Sequence, residues 1–290
     1  MAPKLGFEIR PTVLNRHFVL IVWCVLPFAL SALAQADDIF PDANLEAAIR
    51  ADALKFKPAD EPLTDEDLRK VHILDASNRE ITDLTGLERC PELAQLNLAN
   101  NTISDLSPLA GMKLLQWLDV SQNKLHDIAP LAEVPHLQYL NLENNAIESV
   151  EPLAGMTHLS ALYAAHNQVS DPGPLTGLEK LASLDLGHNQ LASIEGLNRL
   201  SRLGVLALND NAIEDVAPVT SQTELRILRL ERNKIVDVAP LVDWARGDAE
   251  GEKRFAPYLR LYLTGNPLSE EATSGQLEAL RELGVRLHLE

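Results

Sequence analysis

The sequence predicts an α/β repeat solenoid, and three observations predict it. Asparagines recur at 101, 123, 145, 167, 189, 211 and 233, each 22 residues after the last. Counting back from them, the fourth position of every repeat is leucine: 74, 96, 118, 140, 162, 184, 206, 228 and 261. Hydrophobic residues make up 46 % of the 290-residue chain, yet aromatic ones only 4 %. Slim aliphatic side chains at one spacing suit a stack of like layers. No layer buries its own apolar face, so neighbours complete the core. The net charge of −17 argues against a nonspecific nucleic-acid binder, which needs clustered Lys and Arg at phosphates. Two cysteines cannot build a disulfide scaffold.

Taken in order, residues 1–36 read as a secretory signal. Lys4, Arg10 and Arg16 precede an apolar run from Phe18 to Leu33, and Ala34, Gln35 and Ala36 form a small-residue cleavage site. Cleavage after Ala36 makes the mature protein secreted or periplasmic; the alternative is an uncleaved anchor, since a bilayer span takes about 20 residues. Cys24 is followed by Val25, Leu26 and Pro27, unlike a lipoprotein site. Removing the leader shifts the net charge to −19 and leaves one cysteine, Cys90. Residues 37–70 form a helical N-terminal cap. Leu45, Ala48, Ile49 and Ala53 recur at helical spacing, and Thr64 opens a Thr-x-x-Asp capping pattern before Leu68.

Repeats occupy 71–268: eight full units over 71–246, an insertion at 247–257 and a partial ninth at 258–268. Within each, positions three to seven alternate outward and inward, the period of a strand. The asparagine follows where the chain turns, and its amide can satisfy backbone groups there; the ladder is Asn101, Asn123, Asn145, Asn167, Asn189, Asn211, Asn233 and Asn266. Position 16 is Pro at 108, 130, 152, 174, 218 and 240, with Asp or Ser three residues earlier, which predicts short 3₁₀ or extended segments. The unit is the leucine-rich repeat: a horseshoe with a concave parallel sheet and helical caps at both ends. Residues 269–290 supply the second cap, a helix over 269–283 and a final strand over 285–289.

The template running from Asn101 to Leu109, and again from Asn233 to Leu241, resembles the internalin-type bacterial leucine-rich repeat. The resemblance covers 71–268, and Phe40–Ile49 is similar to that family's usual lead-in. It implies a curved solenoid that binds a protein through its concave sheet. Host-cell invasion is not carried over. The sequence lacks an immunoglobulin-like segment, a Leu-Pro-x-Thr-Gly sorting motif and a basic wall-binding module.

The pattern breaks in three places. The first repeat has Arg79 in the asparagine column, with Ala76 and Cys90 at apolar positions; Cys90 reads as a buried small hydrophobe, with a reactive thiol as the alternative. Repeat five carries Ala164 for leucine and Pro172 at a convex apolar position, which predicts a local change in curvature. Asn233 and Asn266 are 33 residues apart, and the extra length around Gly247–Arg254 reads as a polar loop.

Outward strand positions carry the candidate partner-binding residues Trp117, Tyr139, Tyr163, Asp119, Asn141, Glu143, Arg229 and Arg260. Trp117, Tyr139 and Tyr163 fall on a diagonal of adjacent repeats, and exposed Trp and Tyr dominate binding hot spots. The bland reading is that aromatics suit strands and stack on one another. Acids favour the N-terminal half, and Arg226, Arg229, Arg232 and Arg260 the far end; Glu224 and Glu231 can neutralise those arginines locally. His166 with His188, and His136 with His158, should lie about 5–7 Å apart but lack further ligands, so no metal is expected. No catalytic signature stands out, and no cofactor is implied. The expected function is non-catalytic capture of a protein partner by a monomer without a membrane span after signal removal. Alternatives are envelope-glycan binding, or a regulatory subunit docking on an enzyme, similar to a leucine-rich phosphatase regulator of eukaryotic cells, which the signal contradicts.

Overall fold

The computed structural model describes residues 39–289, so the secretory leader and its cleavage site lie outside the described residues. Ten three-residue strands pair in sequence order in one parallel sheet: β1 (Ile73–Asp75), β2 (Gln95–Asn97), β3 (Trp117–Asp119), β4 (Tyr139–Asn141), β5 (Ala161–Tyr163), β6 (Ser183–Asp185), β7 (Val205–Ala207), β8 (Ile227–Arg229), β9 (Arg260–Tyr262) and β10 (Arg286–His288). The register advances one repeat per strand, so Leu96 pairs with Leu118 and Leu118 with Leu140. From β1 to β9 the middle leucine is buried. The concave parallel sheet of a leucine-rich repeat horseshoe is present as the period predicts.

One repeat shows how the core is filled. Leu115, Leu118, Val120, Leu125, Ile128, Leu131 and Val134 are all buried, and the same columns are buried in the neighbouring turns. Aliphatic chains at these columns interlock layer on layer and leave little room for rings. Among the described residues the aromatic side chains fall outside them, on the sheet, in the inserted segment or at the ends.

The asparagine ladder closes the backbone where the strands end. Asn123 donates from Nδ2 to Val120 O (3.1 Å) in its own repeat and Leu98 O (2.9 Å) in the preceding one, and its Oδ1 accepts Ile103 N–H (3.0 Å). Asn145 repeats the pattern with Leu142 O, Val120 O and Leu125 N–H. At the far end, Asn266 accepts from Asn233 and Ile235 N–H and donates to Leu230 and Leu263 O. Each amide thus satisfies four backbone groups, Asn123 and Asn145 through further bonds to Ser121 O and Glu143 O, and ties two repeats together.

The residue before each asparagine is left-handed. Asn78, Asn100, Gln122, Asn144, His166, His188, Asp210 and Arg232 all have φ between 51° and 58°. The chain must bend sharply out of the strand here, and Asn or Asp tolerates that region better than other side chains. Gln122, His166, His188 and Arg232 occupy it at a cost.

On the convex side the predicted short helical turns form. Asp105, Asp127, Asp171, Asp215 and Asp237 each accept the N–H two residues on, at 2.7–3.0 Å, and Ser149 and Ser193 do the same from their hydroxyls. 3₁₀ turns follow, as at Ser107–Leu109 and Ala217–Val219, with Pro in the first turn.

Helices cover both ends. Helix α1 (Ala43–Asp52) buries Leu45, Ala48 and Ile49. Its N-cap Asp42 accepts Asn44 and Leu45 N–H with one oxygen, and Thr82 and Asp83 N–H with the other, tying cap to first repeat. Helix α2 (Asp65–Leu68) starts with a capping box between Thr64 and Asp67. In the first repeat Cys90 is fully buried and its thiol is pushed up to about 12 by that burial, so it packs as a small hydrophobe.

The insertion departs from expectation. Helix α3 (Ala239–Glu250) takes the place of a 3₁₀ turn and runs through Gly247 to Glu250, where a polar loop is predicted. Leu241, Val242 and Ala245 are buried beneath it, Trp244 stacks on Phe255 at 4.1 Å, and Trp244 Nε1 donates to Gln222 O. The Asp248 carboxylate accepts Arg254, Phe255 and Ala256 N–H and so closes the segment. The reason is periodicity. The apolar spacing that makes the helix begins at Pro240, upstream of the polar stretch, so residues 247–254 read alone hide it. A π turn (Ala272–Gln276) and helix α4 (Leu277–Glu282) then precede β10.

Two outcomes are expected. Asn145→Ala removes the side-chain partner of Leu125 N–H and of Val120, Leu142 and Glu143 O and lowers unfolding free energy by about 2–4 kcal/mol, read from urea denaturation. Gln122→Gly, at an exposed left-handed position, raises it by about 0.5–1 kcal/mol.

Candidate functional site

The outward residues of the sheet place three rings side by side. Trp117 and Tyr139 are register partners on β3 and β4. Their rings stack at 4.8 Å with 9° between planes. Tyr163 lies across from Asn141 rather than Tyr139, so its ring meets Tyr139 on the diagonal at 5.5 Å and 44°. All three are half-buried, and Tyr139, the middle ring, is flanked by the other two.

Beside the rings lie carboxylates. Asp119 accepts Ser121 N–H (2.9 Å) and hydroxyl (2.6 Å) with one oxygen and the Asn141 amide (3.1 Å) with the other. Asn141 in turn accepts Glu143 N–H. Asp75, Asn97 and Asp185 make the same turn bond to the residue two places on. Acid or amide at position five therefore has a local job, closing the strand end, that column reading left as a solvated face. Glu143 has no such bond. Burial raises its carboxyl above the ordinary range, and the like charges of Asp185 and Asp119 add to this. Asp185 is raised by burial too, against the lowering pull of Gly187 N–H and of Arg229.

The arginines form a second group. Arg229 Nη2 meets Glu231 Oε1 at 2.8 Å and the guanidinium lies 5.6 Å from the Tyr262 ring centroid. Arg232 is paired with Asp210, whose carboxyl is held at about 2. Arg226 donates to Arg254 O and lies over Tyr258. Local neutralisation thus accounts for Arg229 and Arg232, with Asp210 rather than Glu224 as the second acid. Arg260 is exposed on β9. Of the candidate residues, the fold brings together Trp117, Tyr139, Tyr163, Asp119, Asn141 and Glu143, and sets Arg229 and Arg260 three and four strands beyond Tyr163.

Both histidine pairs form. His166 and His188 stack at 3.9 Å, closer than the strand spacing suggests, and His188 Nε2 is 3.1 Å from Asp210 Oδ2; His136 and His158 sit edge to face at 5.4 Å. Among the described residues no group of three or more His, Cys, Asp or Glu side chains is placed to hold a metal ion.

One part of the surface escaped sequence reasoning. A shallow cavity of about 150 Å³ runs from Ile73 past Gln95 and Asn97 to Trp117. Ile73 is 57 % exposed, an apolar side chain on an outward column. That column placement was legible; that a cavity joins it to Trp117 required the fold.

With this geometry in place, relatives can be compared. The family described as Leucine Rich repeats (2 copies) matches residues 69–111 and 113–155. Internalin C2 of Listeria monocytogenes is 34 % identical, with 71 % of this chain and 91 % of that one covered and a TM-score of 0.68. The chain belongs to the internalin-like leucine-rich repeat family. A second internalin of that organism, internalin F, is 27 % identical over 87 % of this internalin-like chain and 76 % of its own, with a TM-score of 0.69. A leucine-rich repeat protein of Leptospira interrogans shares the fold at 20 % identity, 79 % and 63 % coverage and a TM-score of 0.61. No curated protein matches at a significant level. Leucine-rich repeat proteins are typically non-catalytic and commonly mediate protein–protein binding. Among the described residues no helix is long and apolar enough to cross a membrane.

The shifted carboxyls have opposite consequences for stability. Asp210, lowered to about 2, supports the fold above about pH 4 and ceases to as the pH falls towards 2. Glu143 is raised, so its charge opposes folding at neutral pH and the penalty lifts as the carboxyl protonates. Glu143→Gln should raise the urea midpoint at pH 7, with the gain vanishing below about pH 4, where the wild-type group is neutral in both states.

Proposed function

We propose that this chain is a secreted, non-catalytic protein that captures a protein partner on its concave sheet. The contact centres on Trp117, Tyr139 and Tyr163, with Asp119, Asn141 and Glu143 beside them and Arg229 and Arg260 towards the far end. In this reading the leader 1–36 is removed after Ala36, residues 37–70 and 269–290 cap the solenoid, and the repeats over 71–268, with their insertion at 247–257, carry the surface. The chain acts as a monomer and needs no cofactor.

The observation that carries the reading is the row of three mutually packed rings on a sheet whose interior columns are aliphatic. Rings suit neither the repeat core nor the convex turns, so their concentration on one outward patch calls for a reason beyond folding. Stacking also fixes their rotamers before any partner arrives. A surface ordered in advance loses little side-chain entropy on docking, which leaves more of the buried area to appear as affinity.

The test is a double substitution. Trp117→Ala with Tyr139→Ala should weaken the purified partner, identified by cross-linking in native culture medium, by about fivefold or more, while circular dichroism and cooperative unfolding stay as in the parent. Unchanged affinity would remove the aromatic row from the interface. Intact mass of the secreted protein should begin at Asp37; a mass that retains Met1 rejects the cleaved leader.

A further inference from the structure

The surface has a charge character that its own cations leave uncompensated, and this points to what fits it. Glu143 makes no side-chain hydrogen bond or ion pair among the described residues, and both its oxygens are open acceptors. Asp185 uses Oδ1 for Gly187 N–H and leaves Oδ2 open. Asp119 is held through both oxygens and lies beside Tyr139. The cations that face this group are few. Arg229, on β8, reaches Asp185 electrostatically, but its Nε and Nη2 both donate to Glu231. His188 is engaged with Asp210, and His166 is stacked against it. Burial and mutual repulsion outweigh the opposing pull of His166 on Glu143 and leave it in a state that an added cation would relieve.

The rings beside these acids offer the other half of a cation site. A guanidinium or ammonium placed over a Tyr or Trp face is attracted by the ring, and more strongly where water is partly excluded. Guanidinium also presents a planar fork of donors suited to carboxylate oxygens. The shallow cavity between Ile73 and Trp117 continues the row with space for one small apolar side chain.

We propose that the occupant is a basic segment of a protein partner, with an Arg or Lys seated between the Tyr139 and Tyr163 rings and the carboxylates of Asp119, Glu143 and Asp185, and a neighbouring apolar residue against Ile73 and Trp117. This rests on the concave-face reading above and adds the class of ligand. Charge complementarity selects it: a neutral segment leaves Glu143 desolvated and unpaired, and an acidic one adds repulsion.

The probes are three short synthetic peptides, alternating serine with arginine, with citrulline or with glutamate, titrated calorimetrically into the full-length chain. Citrulline keeps arginine's shape and loses its charge. The arginine peptide should bind about tenfold or more tighter than the citrulline peptide, weaken as sodium chloride is raised, and leave the glutamate peptide without binding. Asp119→Asn, Glu143→Gln and Asp185→Asn combined should cost about tenfold or more; the asparagines keep an acceptor for the turn bonds, and urea unfolding verifies the fold. Glu133→Gln, Glu179→Gln and Glu214→Gln combined, the same charge change at exposed sites off the strands, should leave binding as it was.

Absent binding of the arginine peptide, equal binding of arginine and citrulline peptides, or equal loss in both triple variants overturns the proposal. If arginine and citrulline peptides bind the parent equally and Trp117→Ala with Tyr139→Ala abolishes both, the docking face stands and the basic class falls. If that double variant binds arginine peptide as the parent does, the concave-face reading itself fails.

Discussion

Everything on the concave face depends on the asparagine ladder. A strand of three residues is too short to hold its register by its own hydrogen bonds, and a parallel stack with tight turns forces inward-facing carbonyls and N–H groups out of water at each strand end. The amides of Asn123 and Asn145 each meet four backbone groups, spanning two repeats. Satisfied in this way, the turn stays short, the next left-handed residue is held, and successive leucines fall in line. Remove the amide and the cost is local in chemistry but shared by two layers. The first repeat shows the limit of the rule. Arg79 stands in the asparagine column there, and the backbone N–H groups of Arg79 and Ile81 are taken instead by Asn101 from the next repeat. Each ladder rung serves the repeat before it as well as its own, so Arg79 N–H, Ile81 N–H and Ala76 O of the first repeat are met by Asn101.

That sharing of each rung between neighbouring repeats bears on how the ends are built. At the N-terminal end Asp42 divides its oxygens between starting α1 and binding the backbone of Thr82 and Asp83. At the other end Asn266 reaches back across the insertion to Asn233 and Ile235, a span of 33 residues of chain for one repeat of space. Helix α3 can be accommodated because the ladder contacts lie on the strand side, while the extra residues leave on the convex side where each repeat has its 3₁₀ turn. An insertion at any column between strand and asparagine would break the rung.

What was legible in the sequence followed the same division. The 22-residue period, the buried columns and the asparagine job are set by residues that do one thing in every repeat, so repetition reveals them. Trp117, Tyr139 and Tyr163 were placed together because outward columns follow from the same count. Features that depend on a single repeat, or on two neighbours at once, were not legible. Helix α3 hides because its apolar spacing straddles the boundary between a regular repeat and the inserted residues. The left-handed column was invisible because Gln122, His166 and Arg232 are not residues that announce that conformation. The cavity at Ile73 needs two strands and a ring to exist. Position five looked like solvated acid, and only the bonds to Ser121, Glu143 and Gly187 N–H show that the same oxygen closes the strand.

Those bonds bear on how the surface can carry charge at all. Asp119 and Asp185 are held in place by a structural bond through one oxygen, so the fold secures their position whatever the second oxygen does. Glu143 has no such bond, and its repulsion with both neighbours opposes folding. A solenoid whose core is as redundant as this one can tolerate a locally unfavourable charge, because no single layer decides its stability. Substituting Glu143 by glutamine should therefore separate two quantities. Stability rises while affinity for a cationic segment falls, whereas an acid kept only for solubility would change neither in that paired way. Observed together, those two changes would assign Glu143 to the surface rather than to the stack.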